Sequence, residues 1–132
     1  MTKLHLGNGS VYLEGWTNVD MFGSLASKSP ELVEHNKTTV DKYFKFPIGE
    51  NKNNLVTDVL MDVTVLDFDE NSVDEILAVD LLDHIKREEI DFALKDWLRV
   101  LKPRGTLVID VDDRVEQAKN LIYASEAQSF GA

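Results

Sequence analysis

Short apolar runs alternate with polar stretches along the chain, and their lengths predict the order of strands and helices. Leu4–Leu6 and Thr17–Val19 each predict a short strand. Val59–Met61, Ile76–Val79 and Leu107–Ile109 predict three more. The run Ile76–Val79 is continuous, which is typical of a strand that is covered on both faces of its sheet.

The clearest helix lies between the last two strands. Its apolar side chains recur on one stripe at helical spacing, at Ile90, Ala93, Leu94, Trp97, Leu98 and Leu101. Pro103 ends this helix, and Gly105 helps to turn the chain into the next strand. A strand, a helix and a strand in this order form a crossover unit, which predicts a parallel sheet and one α/β domain over residues 1–132.

Two more helices, one turn and one loop are predicted from local signals. Ser29 followed by Pro30 is a favourable helix start, so a short helix should extend to about Glu34. A second turn contains Val40, Tyr43 and Phe44. A final helix starts at Asp112 or Asp113, and its inward face carries Val115, Ala118, Leu121 and Ile122. The stretch FPIGENKNN predicts an exposed loop.

Composition narrows the classes of protein that the chain can represent. It has 132 residues, of which 43% are apolar, and no cysteine, so disulfides and thiolate metal sites are excluded. We expect no metal site of another kind. No apolar stretch is long enough to span a bilayer, which predicts a cytoplasmic protein with no membrane partner. The net charge of −10 disfavours nucleic acid as a partner and suits a neutral or cationic small ligand, although solubility alone also explains it.

A glycine loop follows the first predicted strand, and an acidic residue ends the second. Gly7 and Gly9 allow the main chain to approach a ligand closely, and Asp20 can accept hydrogen bonds from a ribose. The alternative is a simple turn followed by a solvated carboxylate, because a lone Gly-x-Gly is a weak motif.

The kind of ligand depends on the segment between the glycine loop and the second strand. A dinucleotide site would need a third glycine and a helix whose N-terminus holds the pyrophosphate. Tyr12 occupies the third position, and only Gly7–Gly15 separates the two strands, which leaves room for barely one turn of helix. A nicotinamide-dependent oxidoreductase is therefore disfavoured, and a cofactor without phosphates, such as S-adenosylmethionine, fits better.

Four segments resemble a known family. LHLGNG, LEGWTNVD, DFDENSVDEILAVDLLDHI and ALKDWLRVLKPRGTLVIDVDD are similar to the motifs of class I S-adenosylmethionine-dependent methyltransferases, in particular the small bacterial and phage members. The resemblance implies a Rossmann-like, mostly parallel sheet of strand order 3-2-1-4-5 with flanking helices, shortened at the C-terminus. It implies S-adenosylmethionine as the cofactor.

The resemblance also assigns site residues. The cofactor-binding residues would be Gly7, Asn8, Gly9, Asp20, Asp62, Val63 and Asp80. Asp20 would bind the ribose, Asp62 the adenine amino group, and Val63 would flank the ring. Asp80 and His84 are the candidate catalytic residues. Each acid has an alternative interpretation as a solvated or ion-paired strand end, and His84 as a polar residue at a helix start.

The chain departs from the family pattern at three places. His5 stands where the family has an acid that helps to organise the cofactor's amino group or the loop. Arg104 replaces a turn glycine, which predicts a turn without a positive φ. The sequence stops soon after the fifth strand, so GTLVIDV would form an open apolar edge, and we expect a homodimer that covers it.

These expectations combine into a function. We predict a methyltransferase that acts on a small-molecule or glycan acceptor. The alternative is a non-catalytic or degenerate S-adenosylmethionine-binding module that works with a partner.

Overall fold

The computed structural model describes residues 1–45, 55–111 and 119–124, and a six-stranded sheet forms its centre. In chain order the strands are β1 (Lys3–Leu6), β2 (Thr17–Asp20), β3 (Val59–Leu60), β4 (Val73–Val79), β5 (Leu101–Val111) and β6 (Lys119–Ala124). Their order across the sheet is 6-5-4-1-2-3, and every neighbouring pair is parallel except β5 and β6. The α/β class and the order 3-2-1-4-5 are confirmed.

The first and last of the three described helices were predicted from sequence, and the second lies where a turn was predicted. They are α1 (Pro30–Asn36), α2 (Val40–Lys45) and α3 (Arg87–Val100), with short 3-10 turns at Ala26–Lys28 and Leu82–His84. Two-residue strands form parallel pairs, Tyr12–Leu13 with Lys37–Thr38 and Ser24–Leu25 with Val56–Thr57. The predicted loop FPIGENKNN lies outside the described residues. Within the part of the chain that the structure describes, no helix combines the length and apolar character needed to cross a membrane.

Apolar side chains cover both faces of the sheet because successive strand residues point in opposite directions. One face carries Leu4, Leu6, Ile76, Ala78, Leu107 and Ile109, which pack with Ala93, Trp97 and Val100 of α3. The other face carries Leu77, which packs with Val11 and Leu13 and with the partly buried Tyr43 of α2. β4 is thus covered on both faces, as its continuous apolar run predicts.

The C-terminal segment corrects two predictions. Lys119–Ala124 does not belong to a helix but pairs antiparallel with β5, from Lys119 opposite Val111 to Ala124 opposite Thr106. An antiparallel partner satisfies the main-chain groups that β5 would otherwise leave unpaired at the edge of the sheet. Residues 112–118, where the helix was expected to start, lie outside the described residues. The prediction of an open edge is therefore wrong, and it was the reason for expecting a homodimer.

An irregularity near the start of β5 corrects a third prediction. Arg104 has φ of 70°, although we expected no positive φ there. The register between β4 and β5 shifts here, because Val73 pairs with Leu101 whereas Glu75 pairs with Thr106. A Cβ on the neighbouring Gly105 would lie only 2.9 Å from the carbonyl oxygen of Asp74, so the close approach of β4 requires glycine.

Candidate functional site

A cleft of about 550 Å³ opens at the carboxyl ends of the central strands. This volume is within the range of small-molecule sites, which in open α/β sheets lie where the strand order reverses, here between β1 and β4. All eight residues predicted from sequence line it: Gly7, Asn8, Gly9, Asp20, Asp62, Val63, Asp80 and His84. The fold therefore brings the sequence motifs together in one place.

The glycine loop forms one wall of the cleft. Gly7 and Gly9 have φ of 65° and 55°, in the left-handed region that favours glycine. The N–H of Gly7 donates to the carbonyl oxygen of Val19 at 2.8 Å, which ties the loop to β2. A Cβ on Gly7 would lie 2.7 Å from Cδ1 of Leu81, so the absence of a side chain is a packing requirement as well.

Asn8 holds this loop from within the protein. It is 2% exposed, and its Nδ2 donates to the carbonyl oxygens of Val11 at 3.1 Å and Val56 at 2.6 Å. Its Oδ1 is buried and has no hydrogen-bond partner among the described residues. The side-chain amide is thus committed to fixing the loop, and only the oxygen is left as an acceptor.

Asp20 bridges the end of β2 and the glycine loop. Its Oδ2 accepts a hydrogen bond from the N–H of Gly9 at 2.8 Å, and its Oδ1 accepts one from the N–H of Met21 at 2.7 Å. A carboxylate that accepts main-chain N–H groups makes charge-assisted bonds, which are stronger than neutral ones. Asp20 therefore has a fixed orientation at the rim of the cleft.

Asp62 and Val63 follow β3 on the same side of the cleft as Asp20. Oδ1 of Asp62 accepts from the N–H of Thr64 at 2.9 Å and from its hydroxyl at 2.7 Å, which closes a tight turn. Val63 is buried, and its carbonyl oxygen accepts a hydrogen bond of 2.7 Å from Nε1 of Trp97. The turn that carries both residues is therefore anchored to α3.

Asp80 and His84 follow β4 and are exposed to the cleft. Asp80 has φ of 52°, and its N–H donates to the carbonyl oxygen of Asp110 at 2.8 Å. A left-handed conformation is tolerated by aspartate more readily than by most residues, although it is still strained. His84 ends the 3-10 turn after Asp80, so both side chains lie along one wall.

Tyr43 of α2 also lines the cleft, and nothing in the sequence pattern pointed to it beyond its place in a predicted turn. Burial, followed by the charges of Asp80 and Asp110, raises the pKa of Tyr43 above its ordinary value. Its hydroxyl is therefore protonated at neutral pH. Met21 and Phe22 also line the cleft, and an apolar pair directly after a strand-end acid was a signal that sequence reasoning missed.

His5 lies beneath the loop and does not line the cleft. It is fully buried on the α2 side of the sheet, where its Nδ1 bonds Oδ1 of Asn18 at 2.8 Å and its ring contacts Tyr43 at 5.4 Å between centroids. Burial lowers its pKa to about 4, so the ring is neutral at pH 7. Across the described ranges, no group of three His, Asp or Glu side chains is placed to hold a metal ion.

The sheet order and the position of the cleft define a Rossmann-like fold of the methyltransferase type. A family model described as "Methyltransferase domain" matches residues 25–109, well over half of the chain. The chain belongs to this family of methyltransferase domains. No curated protein matches it at a significant level.

Solved structures share the fold at low sequence identity. The PH0226 protein from Pyrococcus horikoshii OT3 is 18% identical with a TM-score of 0.57, over 87% of this chain and 47% of that one. A protein described as a methyltransferase (BH2331) from Bacillus halodurans C-125 is 14% identical with a TM-score of 0.56, over 85% and 45%. The phosphoethanolamine N-methyltransferase 1 of Haemonchus contortus, solved with phosphoethanolamine and S-adenosylhomocysteine, is 17% identical with a TM-score of 0.54, over 86% and 22%. The chain spans less than half the length of each of these proteins.

Proposed function

We propose that this chain binds S-adenosylmethionine in the cleft and serves as the cofactor-binding part of a methyltransferase that acts on a small-molecule or glycan acceptor. The observation that carries the proposal is the convergence of the Gly7–Gly9 loop with the carboxylates of Asp20, Asp62 and Asp80 around one cleft. Membership in the methyltransferase domain family supports it independently.

The charges of the cleft favour this cofactor over a dinucleotide. Among the described residues that line it, the charged ones are Asp20, Asp62, Asp80, Glu89 and Lys86. Four carboxylates and one ammonium group attract a ligand that carries a sulfonium and an ammonium, and they repel phosphates.

The local fold after the loop points in the same direction. The glycine loop leads into the two-residue strand Tyr12–Leu13, so the segment that directly follows the loop offers no helix N-terminus to hold a pyrophosphate. Gly9 has open space around it, because the nearest atom to an added Cβ would be Cδ2 of Leu55 at 4.0 Å. A ligand can therefore approach the main chain of the loop closely.

The cofactor-binding residues predicted from sequence each have a role in this proposal. Gly7 and Gly9 let the methionine part approach the main chain, while Asn8 fixes the loop. Asp20 accepts hydrogen bonds from the ribose hydroxyls, and Asp62 accepts one from the adenine amino group. The buried Val63 packs against the adenine ring.

When bound, S-adenosylmethionine supplies a methyl group that is activated by its positively charged sulfur. The chain's contribution is to align the acceptor with that methyl group and to take a proton from the acceptor. Asp80 and His84 are exposed to the cleft at the end of β4, where a carboxylate or an imidazole can take this proton. Methyl transfer needs no covalent bond to the protein, so positioning carries most of the catalysis.

Calorimetry with S-adenosylmethionine, S-adenosylhomocysteine and NAD tests the proposal. We expect the first two to bind and NAD not to bind, and tight binding of NAD alone would refute the cofactor assignment. Release of S-adenosylhomocysteine in the presence of sugar and small-metabolite acceptors then separates an enzyme from a binding module that needs a partner. The small bacterial or phage subgroup and the cytoplasmic location stay predictions.

A further inference from the structure

The carboxylate of Asp20 contacts the glycine loop directly, in addition to facing the cleft. We propose that Asp20 is a positioning residue for the loop as well as a ribose acceptor, so that one carboxylate couples the shape of the loop to the recognition of ribose. This inference rests on the proposed function, because it requires a ligand that contains ribose.

The loop needs such a restraint because of its glycines. Gly7 and Gly9 both adopt positive φ, and an unrestrained glycine populates positive and negative φ about equally. The bond from the N–H of Gly7 to Val19 and the side chain of Asn8 also hold the loop, but neither involves the N–H of Gly9. At Gly9 the N–H donates at 2.8 Å to a side chain, that of Asp20, so this restraint depends on the residue type at position 20.

The carboxylate is itself held in place by the turn after β2. Its Oδ1 accepts from the N–H of Met21 at 2.7 Å and, through a long bond, from the N–H of Phe22 at 3.5 Å. These bonds orient Oδ2 toward Gly9. The carboxylate is therefore a bridge between two main-chain segments, the turn after β2 and the glycine loop.

The bridge leaves limited room for the ribose. A carboxylate offers about four acceptor positions, and Gly9, Met21 and Phe22 use three of them. One ribose hydroxyl can donate a hydrogen bond to Oδ2 without breaking an existing bond. The second hydroxyl must displace the N–H of Phe22 from Oδ1, because that bond is the longest of the three. Ribose can thus bind while the Gly9 bond, and with it the shape of the loop, is retained.

Substitutions at this position separate the two roles. Asp20→Ala removes both the ribose acceptor and the loop restraint. Asp20→Glu keeps a carboxylate for ribose, but the extra methylene moves it away from the positions that match Gly9 and Met21. If Asp20 only bound ribose, neither substitution would change the affinity for a ligand without ribose hydroxyls, whereas both would weaken it if Asp20 also positions the loop.

The experiment uses two ligands, S-adenosylhomocysteine and its 2′,3′-dideoxy analogue, with the wild-type protein, Asp20→Ala and Asp20→Glu. We expect Asp20→Ala to weaken binding of the dideoxy analogue about fivefold to tenfold, although this ligand has no hydroxyl for Asp20 to accept, since a charged hydrogen bond is worth about this factor or more. We expect Asp20→Glu to weaken the analogue as well. In the ligand-free protein, amide hydrogen exchange at Gly9 should become about tenfold faster in both variants, for the same loss of one bond.

Asp62→Ala is the matched control for the exchange measurement. Asp62 caps its own turn through Thr64 in the same way but has no described bond to the glycine loop. The rate of Gly9 exchange should therefore change less than about twofold in this variant, which is less than the loss of one hydrogen bond would cause. Equal affinity of the dideoxy analogue for wild type and Asp20→Ala, or unchanged Gly9 exchange, would overturn the inference. Failure of S-adenosylhomocysteine to bind the wild-type protein would instead refute the proposed function, and the exchange experiment would still decide the role of Asp20.

Discussion

His5 and Asn18 join β1 to β2 through a buried hydrogen bond of 2.8 Å between Nδ1 and Oδ1. The amide nitrogen of Asn18 donates to the carbonyl oxygen of Leu13 at 3.0 Å, so its oxygen is the acceptor and Nδ1 of His5 carries the proton. Asn18 is also held by Asp58, whose Oδ2 accepts from its N–H at 2.8 Å. The neutral imidazole of His5 therefore donates one of the hydrogen bonds that join β1 to β2.

The burial of His5 predicts that stability falls in mild acid. Its pKa is about 4 in the folded protein and 6.5 as a free side chain, so the unfolded chain binds more protons between these values. The free energy of unfolding should be unaffected by this group above pH 6.5 and should drop by about 3 kcal/mol as the pH falls to 4. Urea unfolding at a series of pH values measures the drop.

His5→Gln is the comparison for that experiment, because glutamine does not titrate. This variant is expected to be less stable at pH 7, but its stability should fall less between pH 6.5 and 4 than that of the wild type. Parallel curves for the two proteins would mean that His5 is not the group responsible.

Gly7→Ala should destabilise the glycine loop through two causes. The positive φ of 65° costs an alanine about 1 kcal/mol, and the new methyl group would crowd Cδ1 of Leu81. Gly15→Ala is the matched control, since Gly15 has φ of 87° but nothing within 4 Å of an added Cβ. Thermal unfolding should show a larger loss for Gly7→Ala, and equal losses would exclude a contribution from Leu81.

Trp97→Phe should loosen the turn that carries Asp62 and Val63. The indole is fully buried and donates from Nε1 to the carbonyl oxygen of Val63 at 2.7 Å, so its loss leaves a buried acceptor unpaired at a cost of about 1–3 kcal/mol. Trp16→Phe removes the same atoms where no indole hydrogen bond is described. Chemical denaturation should give a clearly smaller loss for Trp16→Phe, and similar losses would refute a specific role for the Val63 bond.

Arg104→Gly should stabilise the protein. Arginine at φ of 70° is strained by about 1 kcal/mol, and glycine removes this strain at the cost of greater freedom in the unfolded chain. We expect a net gain of about 0.5 kcal/mol in the free energy of unfolding. Thr106→Gly, at a regular position of β5 opposite Glu75, should lose stability instead. A loss with Arg104→Gly would show that the arginine side chain contributes more than its conformation costs.

The parts of the fold that were predictable are those with strong periodicity. α3 has a regular apolar stripe, and the run Ile76–Val79 is long enough to indicate a strand covered on both sides. The segment Lys119–Ala124 was assigned wrongly because Leu121 and Ile122 fit a helix and a strand equally well. The partner, which is the edge of β5, decides between them, and local sequence does not reveal it.

The residues of the cleft also differ in how far sequence could predict them. Gly7, Asp20, Asp62 and Asp80 were predictable because each lies at or just after the carboxyl end of a strand, and the carboxyl ends of parallel strands meet at one edge of the sheet. Tyr43 reaches the cleft only because α2 packs over β1 and β4, a tertiary contact. The bond from Asp20 to Gly9 likewise depends on distances of a few tenths of an ångström, which a motif does not contain.

The indole of Trp97 gives the protein an intrinsic optical reporter. The sequence has two tryptophans, and they differ in environment: Trp97 is fully buried and hydrogen-bonded to Val63, whereas Trp16 is partly buried with the ammonium of Lys3 at 5.2 Å from its ring. Indole emission shifts with polarity and hydrogen bonding, so a ligand that settles against Val63 will change the fluorescence of Trp97 in particular. Trp16→Phe then yields a single-tryptophan protein in which the emission of Trp97 reports occupancy of the cleft without an added label.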